Sequence, residues 1–144
     1  MGCEAIAGYE DPPAPAAVSA VTGCEAPGDV AFGGHCYFLV GAPRSWTLAA
    51  SACSAVKAHL ATIASSGEDA VARSFAVDAW LGLSRNAAST SSKAAFRWVT
   101  AEAPTFDGWR NGEPNGSGAC ARATSSGWAD VSCAAQYPAL CERE

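Results

Sequence analysis

The sequence predicts a single domain of the α+β class, in which helices and strands are segregated along the chain. Two helical patterns lie in the first half, runs typical of strands fill the second half, and no βαβ alternation or internal repeat is present. At 144 residues the chain is long enough for one hydrophobic core and short for two. Seven cysteines, none spaced as C-x-x-C, indicate a disulfide-bonded domain rather than a zinc ribbon.

The N-terminal segment differs in composition from the rest of the chain. Residues 1–22 are rich in Ala and Pro and predict an extended linker, so the domain is expected to span residues 23–144. The opening Met1-Gly2-Cys3 resembles the processing site of a bacterial lipoprotein, which would make Cys3 a lipid anchor. A free or intermolecularly bridged thiol is the alternative for this cysteine. No apolar run is long enough for a membrane helix, so we expect a membrane as partner only through Cys3.

The two helices are predicted from apolar spacing and from their first residues. SWTLAASACSAV (45–56) has Ser45 as its expected N-cap, and SSGEDAVARSFAV (65–77) has Ser66 and Asp69 at the spacing of a capping box. Strands are predicted from aromatic, β-branched and apolar runs, namely CYFLV (36–40), HLATI (59–63), AWLGL (79–83), FRWV (96–99), CARATSS (120–126), WADVSC (128–133) and YPALCER (137–143). Residues 101–118 lack any such pattern, and structureless loops of this length tend to be functional.

The order of these features resembles the C-type lectin-like domain in its long form. The features that match are Cys24 and Cys36, Trp46 and Cys53 on the first helix, WLGL in mid-chain, Glu-Pro-Asn at 113–115, GWADVSC, and YPALCERE at the end. The resemblance implies two helices, two small antiparallel sheets and a long loop region. It also implies three disulfides, which are Cys24–Cys36, Cys53–Cys141 and Cys120–Cys133; spacing alone leaves the pairing open.

The Glu-Pro-Asn triplet is half of a calcium site that binds sugar in this family. The resemblance implies that Glu113, Asn115 and Asp130 are both calcium ligands and sugar-binding residues, with a cis bond before Pro114 that turns the two triplet side chains into one space. Calcium takes six to eight oxygen ligands, which suits carboxylates and amides. Trp109, four residues before the triplet, is a candidate for stacking on a sugar ring; core packing is its alternative, as we expect for Trp80, Trp98 and Trp128.

Two positions depart from the family pattern of calcium ligands. Gly118 stands where a further Glu is usual, two residues before Cys120, and Ala129 stands where an Asn precedes the Asp. The other oxygen donors in the long loop are Asp107, Asn111 and Glu102, and nothing in their spacing requires them to take part. We therefore expect weak calcium binding, with a dissociation constant of about 10⁻⁴ to 10⁻³ M.

The sequence thus predicts a calcium-dependent lectin in an oxidising compartment, secreted or on the cell surface. The order Glu then Asn resembles the mannose-type motif, which favours mannose, glucose, fucose or N-acetylglucosamine as ligand. Several copies of the domain would be expected to act together for avidity. The alternative is a calcium-independent module that binds a protein or another ligand through the 101–118 loop.

We expect neither nucleic acid as a partner nor enzymatic activity, because the net charge is −5, the nine basic residues are scattered, and no catalytic motif is present. His35 and His59 are expected to have ordinary structural roles.

Overall fold

The structure, a computed structural model, describes residues 24–144; the expected linker at 1–22 and its Cys3 lie outside this range. Two α-helices and eight strands make up the described chain. In chain order they are β1 (Val30–Phe32), β2 (His35–Arg44), α1 (Trp46–Ala55), β3 (His59–Leu60), α2 (Ser66–Ser74), β4 (Ala79–Ser84), β5 (Arg97–Trp98), β6 (Cys120–Thr124), β7 (Gly127–Val131) and β8 (Tyr137–Arg143). A short 3-10 turn (Lys93–Ala95) precedes β5. No helix in this part of the chain is long and apolar enough to cross a membrane.

Helix α1 begins where its N-cap predicts. The side chain of Ser45 accepts a hydrogen bond from the backbone N–H of Leu48, which satisfies one of the donors that a helix start leaves free. Ala49 and Cys53, one turn apart, are fully buried against the sheet. The predicted helix over residues 45–56 is therefore confirmed, and its buried face carries one of the disulfide cysteines.

Helix α2 begins one residue earlier than expected. Its N-cap is Ser65, not Ser66, and the Ser65 hydroxyl accepts from the backbone N–H of Glu68 at 3.2 Å. The Glu68 carboxylate in turn accepts from the N–H of Ala64 at 2.6 Å. Two adjacent serines are each followed three residues on by an acid, so the sequence alone could not distinguish the two registers of the cap.

The strands form one connected sheet of eight strands, where two small sheets were expected. The strand order is β1-β2-β8-β4-β6-β7, with β3 paired to β8 and β5 paired to β4. All neighbours are antiparallel except β4 and β8, which run parallel and meet at the single pair Trp80 and Ala139. The two antiparallel sets that the resemblance implies are thus present, and that short parallel contact joins them.

The core consists of two clusters of buried residues. Trp80 packs in a cluster with Ala49 and Cys53 of α1, whereas Trp98 and Trp128 belong to a larger cluster that includes residues of α2. All three of these tryptophans are at most 5% exposed, as expected from their strand positions. The Trp128 indole N–H also donates to the buried carboxylate of Asp69 at 3.1 Å, which satisfies both groups inside the core.

The three expected disulfides are all present, with Cα–Cα distances between 5.1 and 5.5 Å. Cys53–Cys141 joins α1 to the last strand across 88 residues. Cys120–Cys133 joins the first residue of β6 to a residue just after the end of β7. Cys24–Cys36 secures the N-terminal hairpin of β1 and β2. Two of the bridges therefore close local segments, and Cys53–Cys141 ties the last strand to the first helix.

Candidate functional site

The long loop between β5 and β6 is anchored to strand β7 before it reaches the Glu-Pro-Asn triplet. The N–H of Trp128 donates to Gly108 O at 2.8 Å, and the N–H of Arg110 donates to Trp128 O at 2.9 Å. Gly108 lies so close to the Trp128 ring that an added Cβ would be 2.4 Å from it, so only glycine fits here. The turn that follows is closed by the N–H of Glu113 donating to Arg110 O at 2.9 Å.

Asp130 lies beneath the triplet and binds its backbone. Its two carboxylate oxygens accept from the N–H groups of Asn115 and Gly116, each at 2.9 Å, and the residue is only 3% exposed. Burial alone would raise the pKa of Asp130. The Glu113 side chain and the hydrogen bonds from the N–H groups of Asn115, Gly116 and Gly118 outweigh burial and hold this pKa below its ordinary value. A buried, ionised carboxylate therefore sets the shape of the loop.

Glu113 is the second buried carboxylate of the site, and the bond between it and Pro114 is cis. Its side chain is 9% exposed, and its Oε2 lies 3.2 Å from the Arg110 guanidinium. Its other oxygen, Oε1, is buried and accepts no hydrogen bond. From the sequence, Arg110 could line the binding loop, with solvated surface as its default role; its contact with Glu113 was not predicted.

Asn115 is the exposed member of the triplet. Its Oδ1 accepts from the N–H of Ser117 at 2.9 Å and from the Ser117 hydroxyl, and its Nδ2 donates to Glu113 Oε2 at 3.4 Å. Glu113, Asn115 and Asp130 are thus brought together, as the resemblance implies. Ser117 joins them as a further polar group at the surface, and Arg110 keeps 37% of its side chain exposed.

These donors do not fit a complete calcium shell. Both oxygens of Asp130 and the Oδ1 of Asn115 already accept hydrogen bonds, and the positive Arg110 guanidinium contacts Glu113, where a cation would have to bind. The side-chain oxygens of Glu113, Asn115 and Asp130 together are fewer than the six to eight that calcium takes, and only Glu113 Oε1 has no hydrogen-bond partner.

The two missing family ligands cannot simply be restored. An added Cβ at Gly118 would lie 2.1 Å from the backbone of Val131, and Ala129 is 1% exposed within β7. Two of the other loop donors have partners of their own, because Asp107 pairs with Lys93 at 2.7 Å and Glu102 accepts from Thr100 at 3.1 Å.

Trp109 is half-buried and packs against the core. Its ring lies edge-on to Phe96, with centroids 4.8 Å apart, and to Trp128 at 5.8 Å. Its remaining surface lines an open cavity of about 430 Å³ with residues of the 93–97 and 103–107 segments. Neither the triplet nor Asp130 lines this cavity. Trp109 and the triplet therefore belong to different surfaces of the same loop.

Comparison with known proteins identifies close relatives. The family model of the Lectin C-type domain matches residues 42–143. The C-type lectin domain family 4 member M of Pan troglodytes is 33% identical over 129 residues, which is 78% of this chain and 28% of that protein. The chain therefore spans less than a third of that relative's length.

Two solved structures share the fold. The Ca2+-independent C-type lectin SPL-2 from Saxidomus purpuratus matches with a TM-score of 0.70 and 27% identity, over 81% of this chain and 91% of that one. A calcium-independent type II antifreeze protein matches with a TM-score of 0.70 and 24% identity, over 82% and 92% of the two chains. At that identity the antifreeze protein shows a common fold and no more.

Proposed function

This chain belongs to the C-type lectin domain family, and on that premise we propose that it is a carbohydrate-binding domain whose ligand site is the surface of Arg110, Asn115 and Ser117. One observation carries the proposal: these three polar side chains are at the surface, while Glu113 and Asp130 lie beneath them and fix their positions. A rigid polar surface on a supported loop suits a ligand rich in hydroxyl groups. The proposed role is binding without catalysis.

The chemistry of the three surface groups is complementary to sugar hydroxyls. The Asn115 amide and the Ser117 hydroxyl both donate and accept hydrogen bonds, and the Arg110 guanidinium has donors left over after its contact with Glu113. The order Glu then Asn favours mannose, glucose, fucose or N-acetylglucosamine only for the calcium-dependent candidate, and these sugars are tested first both with and without calcium. Trp109 would extend the site only for a ligand long enough to reach the neighbouring cavity.

We propose further that this binding does not require calcium. The incomplete donor set and the Arg110–Glu113 ion pair support this, and a solved relative with 27% identity is described as a Ca2+-independent lectin. Calcium-dependent binding at Glu113, Asn115 and Asp130 is the second candidate. One observation favours it: the buried Glu113 Oε1 accepts no hydrogen bond, which is unusual for a carboxylate and is a feature of cation sites.

The proposed setting is an oxidising compartment, with the domain secreted or held at a cell surface. Three disulfides support this setting. A lipid at Cys3 would concentrate copies of the domain on a membrane, which raises avidity for multivalent glycans. Mass spectrometry of the native protein tests the anchor directly, and an unmodified Cys3 would exclude it.

The experiment that tests the site is a glycan array followed by titration of the best ligand into Asn115→Ala. Loss of hydrogen bonds worth about 1 kcal/mol should weaken binding roughly five- to tenfold. Gln136→Ala removes an exposed amide elsewhere on the surface and should bind like the wild type. The proposal is wrong if no glycan binds, or if both variants bind as the wild type does.

A further inference from the structure

Four potential metal ligands meet at one end of the sheet, outside the carbohydrate surface. His35 is the first residue of β2, His59 is the first residue of β3, and Glu142 lies near the end of β8, which pairs with both of those strands. His59 is the direct partner of Glu142 in the ladder. Glu144 follows two residues later. Three neighbouring strands thus hold these side chains on a rigid scaffold.

The ligand atoms lie close together. His35 Nδ1 is 2.6 Å from Glu142 Oε2 and 3.9 Å from Glu144 Oε2, and all three atoms are within 4.8 Å of one another. His59 Nε2 approaches the same Glu144 oxygen at 3.0 Å. Ligands of a tetrahedral zinc ion, each about 2.0 to 2.2 Å from the metal, are on the order of 3.3 Å apart. The observed separations bracket that value.

Glu142 uses one carboxylate oxygen for hydrogen bonds with Thr62, and its other oxygen lies next to His35 Nδ1. Glu142 is 1% exposed, and its Oε1 accepts from the N–H and the hydroxyl of Thr62 at 3.0 and 3.2 Å. Its Oε2 faces His35 Nδ1, which is buried and forms no aligned hydrogen bond despite the short distance. As they stand, the two groups form an ion pair if His35 is protonated, and a metal ion bound at both atoms would replace that proton and move them slightly apart.

The tautomer of His59 is also suited to a metal. Its Nδ1 lies 2.8 Å from the carbonyl oxygen of Leu60, which can only accept, so Nδ1 carries a proton. In the metal-free chain Nε2 then donates to the Glu144 carboxylate from a protonated ring, and a metal ion at Nε2 would take the place of that proton. Such a second contact, which orients the ring and fixes its tautomer, is common for metal-binding histidines.

From this arrangement we infer that His35, His59, Glu142 and Glu144 form a zinc site. Two imidazole nitrogens and two carboxylate oxygens are a donor set typical of Zn²⁺, whereas calcium prefers oxygen alone. The two carboxylates balance the charge of the ion. A bound zinc would join the N-terminal hairpin, β3 and the end of β8, and it would stabilise the folded state in proportion to its concentration.

The test is calorimetric titration of Zn²⁺ into the chelator-treated 144-residue chain, prepared without a histidine tag. We expect one ion per chain, and visible absorption bands of tetrahedral Co²⁺ when cobalt replaces zinc. Glu144→Gln and His59→Gln should each weaken zinc binding on the order of tenfold or more. Glu144 is 59% exposed, so its substitution leaves folding intact and keeps the test decisive if a histidine variant fails to fold.

Two controls distinguish this site from other zinc binding. Glu102→Gln removes an exposed carboxylate from the loop between β5 and β6, which holds none of the four proposed ligands. Cys3→Ser removes the one cysteine outside the three disulfides. Both should bind zinc like the wild type. The inference is overturned if no saturable binding occurs, if Cys3→Ser abolishes it, or if Glu144→Gln and His59→Gln bind as tightly as the wild type.

Discussion

Asp130 and Arg110 together set the shape and charge of the triplet loop. The resemblance implies Asp130 as a calcium ligand, but both of its oxygens accept backbone N–H groups of the loop. The guanidinium of Arg110 contacts Glu113, so a fixed positive charge already neutralises one carboxylate. In the proposed mode these charges hold the loop, and the ligand contacts the exposed amide of Asn115 and the hydroxyl of Ser117.

Replacing Asp130 by Asn should destabilise the domain. The amide keeps the shape of the side chain, but one of its two polar atoms can no longer accept, so the N–H of Asn115 or Gly116 loses its partner. Hydrogen bonds to a buried charge contribute about 1.5 to 3 kcal/mol, and the free energy of unfolding in urea should fall by that order. Asp107→Asn, which breaks an exposed ion pair with Lys93, should change it by less than about 1 kcal/mol.

The same carboxylate should make stability depend on pH. The pKa of Asp130 is lower in the folded state than its ordinary value of 3.8, so the folded state holds fewer protons than the unfolded state. Its contribution is therefore complete above that value and is lost as the pH falls through the lower folded pKa. Urea unfolding from about pH 6 down to about pH 2 should show the wild type losing its advantage over Asp130→Asn. A constant difference between the two would contradict this.

At the residue scale the sequence predicted the convergence of Glu113, Asn115 and Asp130, because a motif in the chain carries that information. It did not predict the Arg110 contact or the role of Ser117, since both depend on where the loop folds back. It also missed the cluster that contains His35 and His59. These histidines are far apart in the chain, and strand pairing alone brings them to the same carboxylates.

At the scale of the elements, the position of the N-cap of helix α2 can be tested by substituting its two neighbouring serines. Ser65→Ala should lower the free energy of unfolding by about 1 kcal/mol, because the Glu68 N–H loses its acceptor. Ser66 is the neighbouring exposed serine and lies inside the first turn, so Ser66→Ala should have almost no effect. Urea or thermal unfolding of the two variants compares them directly. Equal losses, or a larger loss at Ser66, would show that the helix begins at the other register.

The strands were predicted where their runs are long or strongly apolar, as in β2, β4 and β8. Strand β1 was not predicted as a run, because it has three residues and its pairing depends on the hairpin that Cys24–Cys36 closes. The joining of two sheets into one was missed for a similar reason. It depends on a single parallel pair between Trp80 and Ala139, and no local pattern indicates such a contact.

Across the whole molecule, the disulfides should contribute unequally to stability. Loop-closure entropy predicts a loss of about 4.6 kcal/mol when Cys53 and Cys141 are both replaced by Ala, and about 2.8 kcal/mol for Cys24 and Cys36. The separations are 88 and 12 residues, and the first pair is also fully buried. Urea unfolding of the two double variants measures this order. A larger loss from the shorter bridge would contradict the entropic account.

We propose that this lectin domain binds carbohydrate without calcium, through a loop in which Arg110 contacts Glu113 and Asp130 accepts backbone N–H groups. The most direct measurement is titration of the best glycan into one chelator-treated preparation, repeated after addition of millimolar calcium. We predict the same dissociation constant within about twofold in the two conditions. Binding that is absent with chelator and appears with calcium would contradict the claim and establish the calcium-dependent mode instead.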